Sequence, residues 1–136
     1  MGRIDELRVG QSAEMAKTVT ESDIALFAGV TGDFNPVHVD AVAAEKTRFG
    51  GRIAHGILSA GFISAVIAMR LPGAGSIYLS QSLRFTKPVR IGDTVTARVE
   101  VLEVLAAKRR VRLATACRNQ HGETVVEGEA VVMVDG

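Results

Sequence analysis

Cysteine is nearly absent from this sequence: Cys117 is alone among 136 residues. No intramolecular disulfide can form, which fits a reducing cytoplasm. One thiol and three dispersed histidines also fall short of the ligand set of a structural zinc site. Aromatic residues are equally scarce, with no Trp, one Tyr and five Phe, so few ring faces are available to stack nucleobases. Neither sign of charge prevails. Sixteen Lys and Arg against fifteen Asp and Glu leave a formal net charge of +1, too weak a field to gather nucleic acid or an anionic membrane surface. The start, Met1 to Leu7, has no cationic stretch followed by an apolar one, so no secretion signal is expected, and Glu6 breaks the myristoylation pattern. A soluble, cytoplasmic protein is the expectation.

Apolar side chains, by contrast, are plentiful. Hydrophobic residues make up 47% of the chain and charged ones 23%, enough for a packed core, and the length suits one domain over residues 1–136. The longest apolar run, Gly56 to Leu71, carries a single charge, Arg70. Its 16 residues would reach about 24 Å as a helix, short of the roughly 30 Å of a bilayer core. The run therefore predicts a helix inside a domain, apolar on nearly every side.

Ahead of it, Thr20-Glu21-Ser22-Asp23 is an N-cap pattern, and Ile24, Phe27 and Ala28 follow at helical spacing up to about Gly32. Asp40 can cap a short helix over 41–46. Leu71-Pro72-Gly73 stops the long helix. Beyond Gly75 the period changes to two. Ile77, Leu79, Leu83 and Phe85 share one strand face; Val95, Ala97, Val99 and Val101 share another. Val111, Leu113, Thr115 and Cys117 mark a further strand, and Asn119 to Gly122 turns it into a last one over 124–134. Strands joined by short turns pair antiparallel. An antiparallel sheet with one face to bury and a helix that must be wrapped give an α+β architecture: a single domain whose sheet curls around a long apolar central helix, the hot-dog arrangement. Its open edges and partly bare helix lead us to expect a homodimer.

Chemistry concentrates in Gly32-Asp33-Phe34-Asn35-Pro36-Val37-His38-Val39-Asp40. Asn35-Pro36 fixes a turn, because proline presets its own φ and pushes the preceding residue out of the helical region. Such a turn can bring the Asp33 carboxylate and the His38 imidazole together, two groups suited to acid–base work near neutral pH. The plainer alternative is an Asx turn with a solvated histidine. A second anchor is His55-Gly56, where the apolar helix begins. Its first amides have no internal partner, and a residue without a side chain lets a substrate oxygen approach. A thioester carbonyl gaining enolate character needs a donor of that kind. The alternative is that Gly56 only permits close packing of the entering loop.

Asp33 to Asp40, together with Ile53-Ala54-His55-Gly56, closely resembles the (R)-specific enoyl-CoA hydratases, the MaoC-like dehydratases. Pro72 to Leu83 resembles the short single-domain members that feed polyhydroxyalkanoate synthesis. The likeness spans residues 8–134. It implies the hot-dog fold, a homodimer, an acyl-CoA substrate that brings its own coenzyme A, and no metal or redox cofactor. It also implies Asp33 and His38 as the catalytic pair, the Gly56 amide as donor to the thioester oxygen, Asn35 as a supporting amide, and Ser64 near the site. Leu58, Ile67 and Phe27 are candidates to set acyl-chain length, with ordinary core packing as the alternative. Lys87 and Arg90 are candidates for the coenzyme A phosphates, with surface charge as the alternative. The basic cluster Lys108-Arg109-Arg110 with Arg112 and Arg118 is expected to be strand surface, with a phosphate role as the alternative. Three other functions remain open: a hot-dog thioesterase, a 3-hydroxyacyl carrier-protein dehydratase and a non-catalytic acyl-CoA-binding module. Many such thioesterases place a carboxylate on the central helix, whereas residues 56–69 contain neither Asp nor Glu.

Overall fold

Alternating apolar residues build the sheet of the computed structural model, which describes residues 4–135. The strands are β1 (Ser12–Thr18), β2 (Ser76–Gln81), β3 (Arg84–Phe85), β4 (Thr94–Leu105), β5 (Arg110–Arg118) and β6 (Thr124–Val134). They form one antiparallel sheet in the order β1-β4-β5-β6-β2, with β3 also pairing to β6. Val95, Ala97, Val99 and Val101 of β4 are all buried, as are Val111, Leu113 and Cys117 of β5. The register sets Val101 opposite Leu113 and Ala97 opposite Cys117, so the period-two faces of both strands coincide on one side.

Against that side lies α4 (Gly56–Met69), the long apolar helix. Ser59, Ile63, Val66 and Ile67 face the sheet and are buried. The partly bare helix expected of such a sheet is present. Ile57 is 53% exposed and Met69 73%, because the sheet of a single chain covers one face and leaves the other bare. Among the described residues no helix is long and apolar enough to cross a membrane.

A difference concerns the run from Ile77 to Phe85. The spacing predicts one continuous strand, but the register slips between Tyr78 and Ser80, and Ser82 and Leu83 separate β2 from β3. Both pieces lie along β6. Where they part, the chain passes so close to Gly128 that a Cβ there would stand 1.8 Å from the Ser82 carbonyl oxygen and 2.7 Å from its carbon. Backbone cannot give way as a side-chain tip can. Gly128→Ala is accordingly expected to cost at least about 1–3 kcal/mol, read as a lower denaturant midpoint in urea; an unchanged midpoint would mean this edge of the sheet is loosely held.

The remaining elements position the functional loop. In α1 (Glu21–Thr31) the Thr20 hydroxyl accepts the Asp23 amide at 3.1 Å while the Asp23 carboxylate accepts the Thr20 amide at 2.9 Å, a reciprocal capping box. Gly32 ends the helix in the left-handed region at φ 82°, a conformation that favours glycine. After it come α2 (Pro36–Val39) and α3 (Ala41–Glu45). The α2 turn was expected as a bend rather than a helix; proline at its first position has the helical φ already in place. Asp40 accepts the amides of Val42 and Ala43, both at 3.0 Å, and so caps α3 as its sequence suggests. Arg52 donates to Glu21 at 3.0 Å, linking the loop before α4 to the start of α1; the pairing holds the Glu21 carboxyl below its ordinary range.

Candidate active site

Asp33 comes one residue after the left-handed end of α1. Its amide donates to the Thr31 hydroxyl at 3.2 Å, and its carboxylate accepts the Asn35 amide at 3.2 Å. The carboxylate is otherwise open to solvent on an exposed residue. Asn35 in turn accepts the Val37 amide at 3.2 Å as the N-cap of α2. The structure thus gives the Asn35 side chain a part in shaping the turn, and the residue lines none of the cavities around the site.

The α2 turn carries His38 inward, to 9% exposure. Its Nδ1 lies 2.8 Å from the Ile53 carbonyl oxygen, which can only accept, so Nδ1 carries the proton and Nε2 remains for chemistry. The Ile53 amide donates to the Val37 carbonyl at 3.1 Å. Two bonds thus fasten the segment before α4 to the turn holding His38. Asp33 and His38 converge: with His55, their potential proton-carrying or ligating atoms all lie within 4.8 Å of one another. These three residues and Gly56 line one cavity of about 260 Å³.

Gly56 opens α4, with His55 at the N-cap. By position its amide has no partner within the helix. A Cβ on Gly56 would stand 2.7 and 2.9 Å from two atoms of the Phe85 ring. The absent side chain therefore makes room for Phe85 as well as for any ligand at the amide. Gly56 and His38 also line a neighbouring cavity of about 400 Å³, into which Arg48 and Lys87 extend. Phe27 and Ile57 connect the site to a third, more apolar groove of about 430 Å³ along α4 and β2.

The other expected residues divide. Ser64 lines the apolar groove, and Phe27 lines both the groove and the catalytic cavity. Ile67 belongs to the core at 2% exposure and Leu58 packs against it. Neither lines any of the three cavities around the site, and both pack in the core. Lys87 is paired with Glu123, and Arg90 donates to the Phe49 carbonyl at 2.6 Å. Arg112 bridges Glu103 and Glu129, as expected of strand surface. Cys117 is buried and its thiol is pushed up to about 12 by burial, which leaves it inert.

Sequence reasoning passed over His55. It is 3% exposed, its Nε2 donates to the Asp33 carbonyl oxygen at 2.9 Å, and its ring lies 4.0 Å from that of His38 and 4.6 Å from that of Phe27. Its Nδ1 is buried without a hydrogen-bond partner, a defect that typically costs about 1–3 kcal/mol. A signal was available: histidine stands at the N-cap of an apolar helix, where Ser, Thr, Asp or Asn is usual.

The histidines are therefore less dispersed than the sequence suggested, and Asp33, His38 and His55 raise the question of a metal. Their arrangement does not suit one. The two rings stack with a 30° tilt at 4.0 Å, whereas imidazoles sharing one ion fan outward from it, each nitrogen at roughly 2.0–2.1 Å for zinc.

Comparison with known proteins identifies the family of the domain. Residues 6–125 match the family model described as a MaoC like domain. The chain is 56% identical to the (R)-specific enoyl-CoA hydratase of Rhodospirillum rubrum, over 96% of this chain and 90% of that protein. The solved structure of the R-hydratase PhaJ1 from Pseudomonas aeruginosa superposes with a TM-score of 0.92 at 55% identity, covering 97% of this chain and 84% of that one. The (R)-hydratase from A. caviae, described as involved in PHA biosynthesis, gives 0.92 at 44% identity, covering 95% and 98%.

Proposed function

The chain belongs to the MaoC-like domain family, and from that premise we propose that it reversibly and stereospecifically hydrates trans-2-enoyl-CoA to (R)-3-hydroxyacyl-CoA. The observation that carries this reading is the convergence of Asp33 and His38 on one cavity beside the first amide of α4.

One water sits between the Asp33 carboxylate and His38 Nε2. As its oxygen bonds to the β-carbon, Asp33 takes the proton that it sheds. His38, protonated at Nε2, delivers a proton to the α-carbon on the same face. The π electrons of the double bond pass through the α-carbon and the thioester oxygen, where the Gly56 amide stabilises the developing negative charge. The product has gained one hydroxyl and one hydrogen. The proton left on Asp33 returns to Nε2 across the few ångströms between the two groups and resets the pair. Dehydration is the same sequence reversed. These groups need neither a metal nor a redox cofactor, and coenzyme A enters as part of the substrate.

Assembly as a homodimer belongs to the same proposal. Ile57 and Met69 on α4 and Leu79 on the neighbouring β2 are exposed, together forming an apolar surface of the kind that a second copy covers. The expected location is the cytoplasm, where the lone, buried Cys117 would stay reduced. Ultraviolet absorbance of crotonyl-CoA provides the test. The enoyl signal is expected to fall with no release of free thiol. Thiol release would make the protein a thioesterase, and an unchanged signal a binding module.

A further inference from the structure

We infer that His55 is a positioning residue for the hydration reaction, one that holds Asp33 at its working distance from His38; the inference rests on the function proposed above.

Asp33 is the less constrained member of the pair. It sits in an exposed loop between the end of α1 and the start of α2, and its carboxylate is held only by the Asn35 amide. Nothing in that turn ties it to the deeper part of the fold. The tie comes from across the chain, from the His55 Nε2–H on the Asp33 carbonyl oxygen at 2.9 Å. Because a carbonyl only accepts, this bond assigns the His55 proton to Nε2 and leaves Nδ1 as a lone-pair nitrogen. That nitrogen is buried and unpartnered. A phenylalanine would fill the same space between Phe27 and His38 without burying an unpaired nitrogen, but it would lose the bond to Asp33. An imidazole is needed only if the bond matters.

The same ring also backs His38 at 4.0 Å. His55 therefore touches both members of the pair, one through its main chain and one face to face, and makes no hydrogen bond that caps α4. Its backbone leads directly to Gly56, so one residue sets the spacing between the acid–base pair and the amide that receives the thioester oxygen. Displacing a reacting group by about 1 Å can cost on the order of 100-fold in rate.

Two variants separate the bond from the ring. His55→Gln retains a side-chain N–H able to reach the Asp33 carbonyl; His55→Phe retains the ring and loses the donor. With crotonyl-CoA, His55→Phe is expected to lose about 100-fold in kcat with little change in KM, because it displaces Asp33 without altering the acyl or coenzyme A surfaces. His55→Gln is expected to recover most of that loss. A merely structural role would lower the unfolding midpoint of both variants and leave their kcat close to the parental value. Parental kcat in His55→Phe, or equal losses in the two variants, would overturn the inference. If His55→Phe fails to fold, His55→Asn replaces it, since its shorter amide does not span to that carbonyl, and the same two outcomes decide. Should the parental protein leave crotonyl-CoA untouched, the hydration reading fails on its own. The positioning claim is then judged by the crystal structure of His55→Phe: a displaced Asp33 supports it, and an unchanged separation from His38 overturns it.

Discussion

Replacing Asp33 or His38 with alanine is expected to lower kcat for crotonyl-CoA hydration by about 10²–10⁴-fold in each case, the usual contribution of a positioned acid or base. The fold should survive. Asp33 is exposed and its carboxylate receives one backbone amide, that of Asn35, so truncation there leaves no buried group without a partner. His38 is more deeply set and donates to the Ile53 carbonyl. His38→Gln, which retains polar groups in that space, is therefore the second variant if His38→Ala loses stability. The two residues act on one water, so their effects should not multiply. The double variant is expected within roughly tenfold of the slower single variant. Steady-state absorbance kinetics with unfolding midpoints measured in parallel would decide. Near-parental turnover in both single variants would remove the pair from the mechanism.

The second large effect is expected at Gly56. Gly56→Ala should lower kcat/KM for crotonyl-CoA by about 10²–10³-fold, the range for loss of one oxyanion donor. Two causes can be separated. The new methyl group would meet the Phe85 ring at 2.7 Å, and Phe85 is exposed enough to swing aside. If ring displacement were the whole effect, adding Phe85→Ala would restore turnover. The paired variant is expected to remain slow, on the reading that a methyl group at Gly56 crowds the approach of a thioester oxygen to the amide. Full recovery would reduce Gly56 to a packing residue, the alternative that its position in the sequence had left open.

Much of the fold was legible because it rests on periodicity and caps. The alternating residues of β4 and β5 are buried where the spacing put them, and Thr20, Asp40 and Gly32 cap the helices that their types predict. Apolar spacing does not register a bulge, which adds a residue without changing composition, and so the break between β2 and β3 was hidden. Nor does an apolar helix reveal which part of its circumference one chain covers, so the bare side of α4 was expected without being located. Ile67 and Leu58 were read toward the acyl group for the same reason: helical spacing puts them on an apolar face but does not distinguish core from cavity.

Within the site, the Asp33–His38 pairing was legible because only four residues, Pro36 among them, lie between the two. The part played by Asn35 was only half legible. Its side chain makes the Asx bond typical of such turns, with Val37 as the donor. The N-cap position marked His55 as unusual but not its contacts, because it meets Asp33 and His38 only after the 37–53 pairing folds the chain back. A lone histidine 17 residues downstream of His38 carries no local sign of that contact.

The most direct test of the central claim is proton NMR of the 3-hydroxybutyryl-CoA formed from crotonyl-CoA in deuterium oxide. If Asp33 and His38 serve one water on one face, the product carries the R hydroxyl and a single deuterium on the α-carbon, confined to the position syn to the hydroxyl. Deuterium spread over both α positions at early time, or a mixture of R and S alcohols, would contradict it.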